Sequence, residues 1–377
     1  MPVELKDSFT STGQKFFAHQ EAMKSLQNGK GMPITCHVIP TDTCQHTCAM
    51  CSVATREGNI LAMREIEGFL DQLVPLGLKS VIISGGGNPI LYRCKETKSD
   101  FNDLVDMIHG KGLELGLISN GAPMKEYPDG RTSWKMVRPE TLDKFTWIRI
   151  SMSGLDHDER TVYVPDIDPN KTTLGFSYVY HDIYHEKNET HHGKVATPEE
   201  VIEPGQKIEM AIDRIPWLTE QFKHYVGKHS PTYLRLLPNC NQPALIDERC
   251  ELLRSVANEV DPTVAFVQYK KPKAPHACYL GYIHPVLNSD GFIFPCDSTV
   301  LAAAAINRHN HKFDTPWRVC HWTEIGEYFS RPVKSMVDSQ RLCAGCVFNI
   351  SNAILERVVE GGDFTPPETP VLHQNFV

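Results

Sequence analysis

Three thiols fall on one short loop of this sequence, Cys44-Gln-His-Thr-Cys48-Ala-Met-Cys51, in the spacing C-x3-C-x2-C. Thiolates this close can hold three irons of a four-iron cluster. Clusters that only store electrons usually take four cysteines, so a missing fourth ligand leaves one iron open to a substrate or cofactor. Zinc is the competing reading: it favours paired Cys or His sets that supply four ligands, and His46, inside the loop, could complete such a set.

A second set lies far downstream: Cys278, Cys296, Cys343 and Cys346. Between the first two stands Asp290-Gly291, flanked by β-rich residues, which is a hairpin signal. A hairpin there brings Cys278 and Cys296 together, and Cys343-Ala-Gly-Cys346 adds a C-x2-C pair. Four thiolates suffice for one closed iron–sulfur cluster or for a zinc ribbon.

The remaining candidates are single residues. Cys240, in Leu-Leu-Pro-Asn-Cys, ends a predicted strand; its thiol could return a hydrogen atom to a substrate radical, or be an inert half-buried group. Cys320 is either a substitute ligand, a donor or neither. Cys36, Cys94 and Cys250 read as structural. His181, His185, His191 and His192 sit in a polar segment without helical spacing, which suits a solvated or substrate-facing loop better than a metal site. Arg235, on a predicted strand, points inward toward a carboxylate or forms a surface salt bridge.

These residues need a scaffold. Apolar, β-branched runs at Thr35–Pro40, Ser80–Ser84, Leu113–Ser119, Thr146–Ser151, Leu174–Tyr180 and Thr232–Leu237 read as strands buried on both faces. Amphipathic segments separate them: 61–76, Asp100–Gly110 with Phe101, Leu104, Val105 and Ile108 on one stripe, and 205–226, which Pro216 should kink or break. Strand–helix alternation implies parallel βαβ units with right-handed crossovers. The predicted fold is therefore α/β, a partial (β/α)6 TIM-like barrel, with chemistry at the C-terminal strand ends. The predicted division is a helical lead-in over 1–33, the barrel over 34–261, a small cysteine-rich domain over 262–360 and an irregular tail over 361–377.

Bulk properties restrict the function. The chain has 377 residues, 41% hydrophobic and 22% charged, with a net charge of -8. A mildly acidic chain has no general attraction for phosphate backbones or anionic membranes, which disfavours nucleic acid as a partner. The polar start carries no apolar signal region, and no apolar run reaches membrane-spanning length, so a cytoplasmic protein is expected. Twelve cysteines in a reducing compartment suggest metal ligation, catalysis or burial rather than disulfides.

The cysteine loop and three later motifs together resemble the radical S-adenosylmethionine (SAM) superfamily. Val-Ile-Ile-Ser-Gly85-Gly86-Gly87-Asn88-Pro89 is similar to its Gly-Gly-Glu-Pro, Ser119-Asn120-Gly121 to its Thr-Asn-Gly, and Ile148-Arg-Ile-Ser151-Met-Ser153-Gly154 to its Ile-Arg-Ile-Ser strand. The resemblance implies a [4Fe-4S] cluster on Cys44, Cys48 and Cys51, with SAM chelating the open iron. It places Gly85, Gly86, Gly87 and Asn88 at the SAM amino group, Ser119, Asn120 and Ser151 nearby, Met50 against adenine, and Arg235 toward a carboxylate such as SAM's. Asn88 departs from the usual Glu, and Met50 stands where an aromatic is common.

The downstream cysteines resemble the twitch domain, the shortened SPASM domain that carries auxiliary clusters; no cysteine follows Cys346, which implies one second [4Fe-4S] cluster. The expected activity is reductive cleavage of SAM and hydrogen abstraction from a small polar substrate (sugar, cyclitol or nucleoside-like), ending in oxidation or epimerisation. The electron donor would be a flavodoxin or ferredoxin. Peptide or nucleobase modification is the enzymatic alternative, and a cysteine-rich zinc-binding scaffold the non-enzymatic one.

Overall fold

The computed structural model describes residues 8–10, 13–46, 48, 51, 56–120, 133–157, 160–181, 214–240, 243–298, 315–368 and 370–377. Its centre is one sheet in which β1 (Thr35–Val38), β2 (Ser80–Ile83), β3 (Glu114–Ser119), β4 (Trp147–Ser151), β5 (Thr173–Tyr180) and β6 (Tyr233–Pro238) lie side by side in chain order. Every adjacent pair is parallel. The six expected strands thus stand where apolar runs put them, within a residue or two. A seventh, β7 (Ala265–Val267), adds parallel to β6. It was not anticipated, because three residues are too few to show a period.

Helices cover the outer face. After α1 (Gln20–Gln27) comes α2 (Met63–Leu73), which buries Ile66, Phe69, Leu70 and Leu73. Each such side chain contributes about 1.5–3 kcal/mol on burial. In α3 (Phe101–Gly110) Phe101, Leu104, Val105 and Ile108 are buried, and the Asp100 carboxylate caps the N–H groups of Asn102 and Asp103. After the single turn α4 (Pro139–Leu142) follows α5 (Ile215–His229). Pro216 is not a kink: it lies in the first turn of α5, where a missing N–H costs nothing. The expected helical stretch before 214 lies outside the described residues. Then α6 (Ile246–Val260) packs on β6 and β7.

The inward side chains form tiers. At the floor, Gly116 and Gly175 leave room for the rings of Trp147 and Tyr233; a Cβ on Gly175 would come 2.0 Å from the Tyr233 ring. Residues 371–377 close this end. Phe376 packs edge-on against Trp147 with ring centres 5.3 Å apart, Thr35 and Ser80 both donate to the Asn375 carbonyl, and Lys15 donates to that of Phe376. The last residues of the tail are core: Val377 is 1% exposed. Above the floor a second tier, His37, Ile82, Ile118, Arg149 and Arg235 among it, faces a lumen cavity of about 220 Å³.

The C-terminal strands continue the same sheet. β8 (Val286–Leu287) runs parallel to β1, while β9 (Phe292–Phe294) and β10 (Cys320–His321) are antiparallel to their neighbours. The β8–β9 hairpin turns at Asp290-Gly291, with Gly291 at φ 82°, as the dipeptide predicts. Three helices, α7 (Ile325–Ser330), α8 (Ser339–Leu342) and α9 (Asn349–Val359), complete the chain. Among the described residues no helix is long and apolar enough to cross a membrane.

Candidate active site

The cysteine loop leaves the C-terminal end of β1 and is tied at its base. The Asp42 N–H donates to the Asn59 carbonyl at 3.2 Å, and the Asp42 carboxylate accepts from the Glu57 N–H at 2.9 Å. Along its inner side runs the glycine turn after β2. A Cβ on Gly87 would lie 2.0 Å from the Thr43 carbonyl oxygen, and one on Gly86 2.9 Å from that of Thr41. Glycine at these positions lets two backbones meet, and the Asn88 N–H seals the contact by donating to the Thr43 carbonyl at 2.8 Å.

Each thiol of the loop has a polar neighbour from a different segment. Asn120, just past β3, donates toward Cys44 Sγ at 3.3 Å. His157, beyond β4, places Nε2 3.4 Å from Cys48 Sγ. Arg56 reaches Cys51 Sγ at 3.5 Å while also donating to the carbonyls of His46, at 2.7 Å, and Gly86, at 3.2 Å. Burial raises the pKa of Cys44 and of Cys48, and the neighbouring thiols add to the rise. Burial opposes the Arg56 charge, but thiolates at Cys51, Cys44 and Cys48 outweigh it and raise the Arg56 pKa. Half-buried thiols on one loop, beside a fixed cation, form a donor set that a metal cluster satisfies by replacing their protons.

Arg56 was not anticipated. Its only sequence signal is a basic residue five positions after Cys51. The Asn88 amide donates to Gln45 Oε1 at 3.1 Å and Ser133 Oγ at 3.5 Å, and its oxygen accepts from Ser119 Oγ at 2.8 Å and the Ile90 N–H at 3.4 Å. These bonds tie β2, β3 and the cysteine loop together. Ser119 serves that same tie. Ser151, at the end of β4, donates to Ser153 at 3.3 Å. Met50 lies outside the described residues.

The second cysteine set also converges. Cys278 and Cys296 flank the β8–β9 hairpin; Cys343 and Cys346 follow α8. Burial raises the pKa of all four, and Cys278 feels Cys343 and Cys346 while Cys296 feels Cys346 and Cys278. Their shell is apolar: Ile39, Val286, Phe294 and Trp317 pack with Cys278, Cys343 and Cys346. Ile39 directly follows β1, so one strand supports both thiol sets. Cys320 lies on β10 with Glu324 and Arg331 as charged neighbours, its thiol pushed up to about 12 by burial.

Three further candidates are placed as follows. Cys240 lines the lumen cavity beside Lys270, its thiol pKa raised by burial. Arg235 points inward and donates to Ser177 Oγ and Gln268 Oε1 at 2.9 and 3.0 Å. His181 is buried 3.6 Å from Asp156, which also accepts from Tyr178 at 2.7 Å and Arg214 at 3.1 Å; it is part of a buried network rather than a solvated loop. His185, His191 and His192 lie outside the described residues.

No protein-family profile matches the chain. A SAM-dependent nucleotide dehydratase of Selenomonas ruminantium is 28% identical over 116 residues, 31% of this chain and 38% of that relative. The resemblance of four motifs and the match to a SAM-dependent enzyme agree. Over that stretch the chain is similar to a SAM-dependent enzyme. Looser likenesses among solved structures are Streptococcus suis SuiB bound to SAM (15% identity, 87% of this chain and 76% of that one, TM-score 0.43), and BtrN in complex with AdoMet and 2-DOIA (12%, 88% and 89%, 0.37). The curated match spans well under half of the dehydratase's length, so that protein's reaction is stated of it alone.

Proposed function

We propose that this chain is a radical SAM protein that binds a [4Fe-4S] cluster through Cys44, Cys48 and Cys51, and acts on a small polar substrate held in the lumen. When bound, the cluster and SAM together supply one-electron cleavage of the sulfonium and a hydrogen-abstracting 5′-deoxyadenosyl radical. The observation that carries this is the convergence of three segments, ending in Asn120, His157 and Arg56, on the three thiols of one loop. Asn120 and Arg56 donate toward the sulfurs, which stabilises negative charge there. Gly86 and Gly87 lock the loop to β2, and Ser151 offers a hydroxyl at the rim.

Cys278, Cys296, Cys343 and Cys346 would hold a second cluster, and their apolar shell keeps water away from it. Cys240, a protonated thiol on the lumen wall, is the candidate hydrogen donor for epimerisation; without its participation the outcome is oxidation. A sugar, cyclitol or nucleoside-like molecule suits a cavity of about 220 Å³, with peptide or nucleobase modification as the alternative. The protein would work in the cytosol, with a flavodoxin or ferredoxin as electron donor.

A second reading has one observation in its favour. His46, Cys48 and His157 bring their ligand atoms within 4.8 Å of one another, a start toward a zinc site. Their geometry argues against it: the two imidazole rings are stacked, with centres 3.8 Å apart and planes 23° from parallel. Lone pairs in stacked rings run side by side, whereas tetrahedral zinc needs them to converge.

The test is anaerobic reduction with SAM and candidate substrate pools. Substrate-dependent 5′-deoxyadenosine supports the proposal; loss of two hydrogens identifies oxidation, and deuterium uptake without another mass change identifies epimerisation. No 5′-deoxyadenosine from iron-loaded protein with any pool would overturn it.

A further inference from the structure

The lumen cavity carries more positive charge than the protein neutralises. Arg149 on β4, Arg235 on β6 and Lys270, just beyond β7, line it together. Asp297 is the one carboxylate among the lining residues, and its ion-pair contact is with His37 at 3.7 Å. Arg149 stacks over Trp147, and its Nε is buried without a partner. Arg235 has only neutral partners, Ser177 and Gln268. Lys270 lies over the Phe348 ring, 4.5 Å from its centre, and hydrogen-bonds nothing among the described residues. None of the three pairs with a carboxylate within 4.0 Å among the described residues. His37 and His284 do not offset this, because burial lowers both and favours neutral imidazoles.

Burying unpaired cations costs several kcal/mol each, and a fold retains that cost where a ligand supplies the missing charge. Burial and the Arg149 charge pull the Arg235 pKa down to about 9, with Asp297 opposing. Lys270 is lowered too, by burial first, with Asp297 opposing and Arg235 and Arg149 adding to the fall. Lys15 also lines the cavity, at the floor, where it donates to the Phe376 carbonyl; the other three cations against one carboxylate leave an excess of two charges, close to the charge of a phosphate monoester at neutral pH.

We propose that Arg149, Arg235 and Lys270 bind a phosphoryl group of the substrate within the barrel lumen. The inference rests on the reading that the lumen is the substrate chamber of a SAM-dependent reaction, and it narrows the substrate to a phosphorylated small molecule. Arginine forks suit phosphate oxygens, and the ammonium adds a point charge. The reacting part of the molecule then extends toward Ser151 and the cysteine loop.

The test uses the full chain loaded with iron, probed by inorganic phosphate and pyrophosphate in calorimetry and thermal melts. Phosphate should bind and raise the melting temperature. Lys270→Met and Arg235→Gln should each weaken binding at least tenfold, Lys270→Arg should restore most of it, and the SAM affinity of the Lys270 variants should stay within twofold. Lys270→Met should also melt higher than the parent protein without ligand, because it removes an uncompensated charge but keeps the aliphatic stem. No phosphate binding by the parent protein, equal binding by the variants, or a parallel loss of SAM affinity in the Lys270 variants overturns the site. Iron-loaded, SAM-binding protein indifferent to phosphate sinks the anion site alone. Phosphate binding through these residues in protein that loads no iron keeps the site and sinks the radical reading.

Discussion

Asn120 Nδ2 lies 3.3 Å from Cys44 Sγ, which links the end of β3 to the first cysteine of the β1 loop. The motif Ser119-Asn120-Gly121 thus serves the cysteine loop as well as any cofactor: Ser119 anchors Asn88, and Asn120 reaches a thiol. Hydrogen bonds to cluster sulfurs raise the reduction potential by stabilising the more negative reduced state. One such bond is worth about 1 kcal/mol, or on the order of 40 mV for a one-electron couple. Asn120→Ala should shift the potential of this cluster negative by about that amount with iron content unchanged. Redox titration followed by electron paramagnetic resonance checks this, and an unchanged potential contradicts the assignment.

The two thiol sets should load independently. Protein with both clusters should hold about eight irons per chain. Cys48→Ala and Cys343→Ala should each fall to about four, and only Cys48→Ala should lose SAM cleavage outright. Iron analysis with Mössbauer spectroscopy reads the difference; zinc in place of the second four irons would make the downstream set a ribbon.

Glycine contacts give opposite predictions in two places. Gly87→Ala puts a methyl against the Thr43 carbonyl, so it should destabilise by about 1–3 kcal/mol and lower iron loading on the β1 loop. Gly227, inside α5, has nothing within 4 Å of an added Cβ. Gly227→Ala should therefore stabilise by about 0.5–1 kcal/mol. Urea melts measure both, and equal effects would contradict the packing described for the glycine turn.

Asp156 makes acid stability predictable in sign. Burial works against its carboxylate, yet His181, Tyr178 and Arg214 hold its pKa below the ordinary value of 3.8. A depressed folded pKa contributes stability above the unfolded value and loses it as pH falls through the folded one. The contribution should be constant at neutral pH and fade below about pH 4. Asp156→Asn should cost about 1–3 kcal/mol at pH 7, since it weakens the charge-assisted bonds that Tyr178 and Arg214 donate to it, and should flatten this acid limb. A steep limb retained in the variant would assign the acid sensitivity to other groups.

How much of this was legible in the sequence follows from the range of each signal. Six strands and the Asp290-Gly291 hairpin were readable because period, β-branching and turn chemistry are local. The cysteine loop was readable because its ligands lie within eight residues. The partners of its thiols were harder: Arg56, His157 and the tied carboxamide of Asn88 owe their roles to neighbours brought in by the fold. The floor was missed for the same reason. Phe376 and Val377 end a Pro-containing segment without period, yet Trp147, Thr35 and Ser80 bury them. Pro216 was misread because a proline in an amphipathic run looks like a break until the helix is known to start beside it.

The central claim is that three thiols on one loop hold a cluster whose fourth iron is open to SAM. The direct measurement is the electron paramagnetic resonance spectrum of reduced Cys343→Ala protein, taken before and after SAM is added. The account predicts the signal of a single reduced four-iron cluster that changes shape and g-values on SAM addition. A spectrum indifferent to SAM, or colourless protein with one zinc bound by His46, Cys48 and His157, would contradict it.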